Sequence, residues 1–146
     1  CKEEAKELLT PFRLWQKKNF KFFKIAMRED GSIDGGYITS QDSLDLVHHI
    51  RTKIDLLVIG GNTVRTDRPT LDTRFVDIDK NPDILIYSSN SSESFDKTIP
   101  LFGITNRKVT ISKSLEMMNE ANFIMIEGGY HLFENIKNQI DMVMVF

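Results

Sequence analysis

The stretch LLVIGGNTVRTDRPTLDTR, residues 56–74, constrains this chain most. Its apolar run, residues 56–59, has no polar alternation, so it predicts a strand buried on both faces, as in a parallel sheet. The run breaks at Gly60-Gly61 into a segment carrying Asn62, Thr63, Thr66, Asp67 and three arginines. Ligands of open α/β sheets collect beyond the carboxyl ends of the strands. Arg65, Arg68 and Arg74 suit a phosphorylated ligand there, because a guanidinium fork matches phosphate oxygens in pairs. A solvated surface loop has the same composition, and this stretch alone does not separate the two readings.

The remaining chain supplies the other strands. Residues 1–18 space Ala5, Leu8, Leu9, Phe12 and Trp15 by three and four, which predicts an amphipathic helix, with Pro11 ending it or opening a second turn. Residues 20–27 mix phenylalanines with Lys21 and Lys24; a strand with one wet face accounts for that mixture better than a nucleic-acid surface. Asp30-Gly31 and Gly35-Gly36 then mark a tight loop. Thr39 or Ser40 caps a helix whose apolar face is Leu44, Val47 and Ile50, with Asp42 and Asp45 in its opening turns and Arg51 near its end. His48 and His49 point about 100° apart on a helix, so they make no metal pair and read as surface residues.

Residues 75–81 read as a connector; Asp77 and Asp79 lack the glycine turn and third acid of a calcium loop. Strands are expected at 83–87, 108–111, 123–126 and 142–146, with a serine-rich loop at 88–94 and a short helix at 116–120 capped by Ser114. Glu127-Gly128-Gly129 leads from a strand into a helix through Leu132, Phe133 and Ile136, and backbone N–H groups at such a start can face an anion. Strands alternating with helices predict an α/β fold with a mainly parallel sheet.

Composition narrows the function. The 146 residues suit one domain, and 40% hydrophobic content argues against disorder. A net charge of -2 from 19 basic and 21 acidic residues offers no field for nucleic acid or an acidic membrane, so a phosphate must be held locally. No apolar run approaches the ~20 residues of a membrane helix, and the start shows no signal-peptide pattern. The single cysteine, Cys1, excludes an internal disulfide and a thiolate cluster. These features predict a cytoplasmic protein with no metal.

Taken in order, FKIAMREDG, YIT, HHIR, GGNTVRTDRPTLDTR, ILIYS and IEGGYHLF resemble the reductase domain of bacterial bifunctional riboflavin-biosynthesis proteins, the 5-amino-6-(5-phosphoribosylamino)uracil reductase. The specific part is T-V-x-x-D-x-P-x-L-x-x-R at residues 63–74. The resemblance implies a dihydrofolate-reductase-like three-layer fold, NADPH as cofactor, a phosphorylated aminouracil as substrate and a homo-oligomer, a dimer. It makes residues 1–19 the tail of a preceding deaminase domain and 20–146 a reductase domain lacking its C-terminal strands. The deaminase signature, H-x-E with P-C-x-x-C, is not in this sequence.

By matching motif positions, the resemblance puts Ala26, Tyr37, Thr63, Asp67 and Ser88 beside the nicotinamide cofactor. Gly129, Tyr130, His131, Leu132, Phe133, Glu134 and Asn135 surround its phosphates. Substrate positions are Lys24, Gly35, Arg51, Leu71, Arg74 and Glu127, with Arg51 and Arg74 on the ribose phosphate and Glu127 on the aminouracil ring. Lys24, Asp67 and Glu127 are the catalytic candidates. The loop at 30–36 is shorter than the family pattern, Gly35 stands where a serine is usual, and Tyr37 replaces a tryptophan. Two alternatives remain open: a catalytically silent nucleotide-binding or dimerisation remnant, and a related pterin or carbonyl reductase.

Overall fold

A strand buried on both faces must find hydrogen-bonding partners along both edges, and the computed structural model shows how this chain provides them. It describes residues 3, 5, 6, 9, 10, 12, 16, 18–33, 40–74, 76, 80–89 and 94–146. The strands are β1 (Phe20–Ile25), β2 (Leu56–Gly60), β3 (Asp83–Tyr87), β4 (Val109–Ser112), β5 (Phe123–Glu127) and β6 (Met142–Val145). They form one sheet in the order β4-β3-β2-β5-β1-β6, and every pairing is parallel. The α-helices that connect them are α1 (Gln41–Arg51), α2 (Gly61–Asp67) and α3 (Tyr130–Ile136). Among the leading residues, Glu3, Ala5, Lys6, Leu9, Thr10 and Phe12 have helical backbone, and Leu9 and Phe12 are exposed.

Side-chain alternation splits the core in two. Phe20, Phe22, Leu57, Ile59, Ile84, Ile86 and Met125 share one cluster with Val47 of α1 and Val64 of α2. Phe23, Leu56, Val58, Leu85, Ile124 and Ile126 share the other with Met118 and with Leu132 and Ile136 of α3. Helices therefore cover both faces, giving three layers. α2 leaves β2 on one face toward β3, while α3 leaves β5 on the other face toward β6. The direction of winding reverses between β2 and β5.

Local chemistry fixes the start of β5 and the start of α1. Asp55 accepts from the backbone N–H of Asn122 (3.2 Å) and Phe123 (3.1 Å), and Asn19 donates to the carbonyls of Ala121 (2.8 Å) and Met118. Ser40 is the N-cap of α1, accepting from Ser43 N–H at 3.2 Å.

Three expectations change. The polar segment after Gly60 is a helix rather than a loop; with a glycine at its N-cap and Val64 its one large buried residue, it carries no periodic signal. β1 stops at Ile25, two residues early, where its pairing with Val145 ends. His48 is buried, not a surface residue, because its helix face packs toward the sheet beside Val47.

The glycine at 61 answers to close packing. A Cβ there would lie 3.0 Å from the Ser88 Cβ, 3.1 Å from its Oγ and 3.3 Å from the Phe95 ring. At Gly128 a Cβ would meet the Leu132 Cδ2 at 2.8 Å, the far end of a side chain that can rotate away. We expect Gly61→Ala to lower unfolding free energy by about 1–3 kcal/mol and Gly128→Ala by less than about 1 kcal/mol, both read from urea unfolding. Equal losses would show that the Ser88 contact does not matter.

Candidate functional site

The reversal between β2 and β5 leaves a crevice beyond their carboxyl ends, where the connecting segments diverge. It opens into two lobes of about 290 and 340 Å³ that share Asn62, Thr63 and Gly129. Lys24, Ala26, Asp67 and Glu127 line the second lobe. Arg65, Ser88, Tyr130, His131, Leu132 and Asn135 line the first. Residues more than a hundred positions apart, Lys24 and Gly129, thus meet in one cleft.

Glu127 is the best-defined group in it. β-strand register places it beside Lys24 on one side and Ile59 on the other. Its Oε1 accepts from Arg51 Nη2 at 2.9 Å, and both side chains are largely shielded from solvent, at 11% and 14% exposure. Burial pushes the Glu127 carboxyl upward, but the charges of Arg51 and Lys24, the Arg51 hydrogen bond and His48 together outweigh it and hold the group below the usual carboxylate range. Glu127 is therefore an ionised acceptor at neutral pH. His48 moves the other way from a surface histidine: burial first, then Arg51, lower its pKa.

The remaining sequence-derived residues separate by position. Arg51 lies under the cleft; besides Glu127 it donates to the Asp72 carbonyl at 3.4 Å. Leu71 is buried with φ of 56°, in a segment whose carbonyls are gripped by Arg107, which donates to Thr70 (2.7 Å), Leu101 (2.9 Å) and Leu71. Arg74 is exposed, 3.3 Å from the Thr70 hydroxyl and 3.6 Å from Asp72. Phe133 packs edge-on against Phe23 in the core, and Glu134 pairs with Lys137 at 2.8 Å. Gly35 and Tyr37 lie outside the described residues.

Of the three arginines first suited to phosphate, Arg65 alone lines a lobe among the described residues. Arg68 instead donates to Asp96 (2.8 Å) and Thr98 (2.6 Å); the Thr98 backbone N–H and hydroxyl, each donating to Asp96 at 2.8 Å, together with Arg68 bring the Asp96 carboxyl down to about 2. Sequence reasoning did not single out Ile33, Tyr87 or Ser89, which also line the cleft. Ser89, next to Ser88 at the end of β3, could have been found from its place; nothing local marks Ile33.

The arrangement can seat a long polar ligand along the cleft, with an ionised carboxylate and an amine at one end and an arginine with hydroxyls at the other. No group of three or more residues able to hold a metal ion occurs among the described residues, and none of their helices is long and apolar enough to cross a membrane.

Comparison with known proteins follows the same lines. The RibD C-terminal domain family model matches residues 24–143. The riboflavin biosynthesis protein RibD of Synechocystis is 38% identical over 65 residues, 41% of this chain and 18% of that protein. The chain thus aligns with under a fifth of that relative's length. A diaminohydroxyphosphoribosylaminopyrimidine deaminase/5-amino-6-(5-phosphoribosylamino)uracil reductase from Thermotoga maritima superposes with a TM-score of 0.71 at 21% identity, over 98% of this chain and 49% of that one. A dihydrofolate reductase from Enterococcus faecalis, solved with NADP(H), superposes with a TM-score of 0.58 at 15% identity, over 88% of this chain and 70% of that one. These two structures show the dihydrofolate-reductase-like fold.

The Arg51–Glu127 pair has a pH signature. Because the folded Glu127 carboxyl is held below its unfolded value of 4.5, the pair's stabilisation is complete above that value and fades as pH falls through the lower folded one. We expect the stability gap between wild type and Glu127→Gln to be constant near neutral pH and to shrink below about pH 4.5. Arg51→Leu, which strands a buried carboxylate, should cost about 3–5 kcal/mol at neutral pH. Urea unfolding across that range reads both effects, and a gap that widens in acid would contradict the assigned charge state.

Proposed function

The chain belongs to the RibD C-terminal domain family, and from that membership we propose that it reduces 5-amino-6-(5-phosphoribosylamino)uracil to its phosphoribitylamino product with NADPH, a step of riboflavin biosynthesis. One observation carries this reading: the T-V-x-x-D stretch on α2 and the Glu127-Gly128-Gly129 turn after β5 meet across a single cleft, with Lys24, Thr63, Asp67 and Glu127 lining one lobe. A remnant without chemistry has no physical reason to keep an amine and an ionised carboxylate together at a sheet edge. The dihydrofolate reductase solved with NADP(H) supports a nicotinamide cofactor.

When bound, the reduced nicotinamide supplies a hydride to the ribose C1 of the opened imine form. The protein's residues handle the rest. Thr63 and Asp67 orient the cofactor ring from α2, and Ser88 with Gly129, Tyr130, His131, Leu132 and Asn135 takes its more distant parts. Glu127 accepts hydrogen bonds from the aminouracil N–H groups, and Arg51 keeps it ionised and aimed rather than touching the substrate itself. Lys24, in register beside Glu127, supplies the proton that relieves negative charge on the nitrogen attached to C1. Arg74, exposed after α2, receives the ribose phosphate.

NADPH binding followed by nicotinamide fluorescence, then NADPH consumption in the presence of the aminouracil, tests the reading. Asp67→Ala should weaken NADPH binding by about tenfold, the loss of one charged hydrogen bond. Lys24→Ala should lower kcat by about 10²–10⁴-fold while leaving NADPH affinity in place. A folded chain that neither binds nor oxidises NADPH would favour the silent remnant. Turnover of a pterin or a simple carbonyl compound in place of the aminouracil would favour the related reductase.

A further inference from the structure

The segment that follows α2 is strained at one residue. Leu71 has φ of 56°, a left-handed backbone that a leucine adopts only at a cost. Such a conformation persists where its surroundings over-determine it, and Arg107, just before β4, supplies the constraint. Its guanidinium donates to the carbonyls of Thr70 (2.7 Å) and Leu71, and from the same fork to that of Leu101 (2.9 Å). The first two carbonyls belong to the peptide groups on either side of the Leu71 Cα. A rigid planar fork that holds both therefore fixes both dihedrals of that residue. The Leu101 carbonyl anchors the fork to a neighbouring segment, which is tied to the same stretch by the Leu101 N–H on the Pro69 carbonyl at 3.1 Å.

What Arg107 fixes reaches the cleft along two routes. The Asp72 carbonyl, one peptide further on, accepts from Arg51 Nη1 at 3.4 Å, and Arg51 Nη2 holds Glu127 at 2.9 Å. Glu127 lines the lobe with Lys24. Arg74 stands on the same segment, 3.3 Å from the Thr70 hydroxyl and 3.6 Å from Asp72. Rotation about Leu71 would carry the Asp72 carbonyl and Arg74 away together. A connector with no task beyond joining α2 to β3 has no need of a left-handed leucine. The lobe with Arg65 and Ser88 has no lining residue from this segment.

Resting on the reductase reading, we infer that Arg107 is a positioning residue for the substrate. It touches neither substrate nor cofactor. By locking Leu71 it keeps the Arg51–Glu127 pair at the aminouracil ring and Arg74 at the ribose phosphate in one register, while NADPH is bound by elements that do not depend on it.

Steady-state constants for the aminouracil and NADPH dissociation constants from nicotinamide fluorescence, measured on the wild-type chain, Arg107→Gln, Arg107→Lys and Met118→Ala, test this. Urea unfolding establishes that each variant is folded, and Arg107→Lys alone is read where Arg107→Gln is not. Arg107→Gln should raise KM for the aminouracil by about tenfold or more, lower kcat by less than about threefold and leave NADPH affinity within about twofold. Arg107→Lys, which keeps the charge and loses the planar fork, should raise KM less. Met118 is buried in the cluster on the other face from Leu71, so Met118→Ala should loosen the fold and leave KM in place. A rise in KM as large in Met118→Ala as in the Arg107 variants would make the effect general loosening and overturn the inference. So would an equal loss of NADPH affinity in the Arg107 variants, a fall in kcat alone, or an unchanged KM. A folded wild-type chain that does not turn over the aminouracil overturns the reductase reading, and the inference with it.

Discussion

β5 is the strand on which the molecule depends, because β1 and β2 do not pair with each other and both pair with it. Strands in a parallel sheet sit about 4.8 Å apart, so inserting β5 sets the lateral separation of everything that β1 and β2 carry. Lys24, Glu127 and Ile59 become neighbours in one row. The turn at Gly60 and Gly61 and the turn at Gly128 and Gly129 become the two lips of one crevice. Without β5 there is neither a continuous sheet nor a cleft; Asp55 holds its start at Asn122 and Phe123, and Asn19 holds Ala121 just before it.

Around Glu127 the structure gathers Arg51, Lys24 and His48, and their balance explains how an acid stays charged in a shielded place. Arg51 contributes a direct bond, Lys24 a charge from the neighbouring strand, and His48 a further favourable influence. His48 itself is driven toward its neutral form by burial and by Arg51. The carboxylate is thus compensated chiefly by one arginine beneath it. Burying such a pair contributes little net stability; what it provides here is a fixed orientation for an acceptor at the mouth of the sheet.

How far the sequence reveals this depends on the range of each interaction. β3 falls at residues 83–87 as the apolar run predicts, and the Ser40 cap of α1 follows from local hydrogen bonding. Strands alternating with helices predict a mainly parallel sheet, and every pairing in it is parallel. The helix α2 was hidden because seven residues with one buried valine make no pattern. The roles of His48 and Arg51 were hidden for another reason: the partner of Arg51 is 76 residues away, and α1 looks the same whether its last turn meets solvent or a carboxylate. The resemblance located the cleft-lining Lys24, Thr63, Asp67, Ser88, Glu127 and Gly129 by motif, but no motif says that Arg51 lies below the site or that Phe133 and Glu134 turn away from it.

The place of β5 also bears on how the chain is made. Phe20 pairs with Phe123, so more than a hundred residues must leave the ribosome before β1 gains its central partner. At about 5–20 residues per second that is a wait of roughly five to twenty seconds. Through it β1 presents Phe20, Phe22 and Phe23, all buried in the finished molecule, beside an unpaired backbone edge. β2, β3 and β4 can associate during the same interval, since they adjoin one another in both sequence and sheet. The nascent protein therefore passes through a half-built stage with one sticky strand waiting, and a chaperone that shields aromatic segments has its greatest use there.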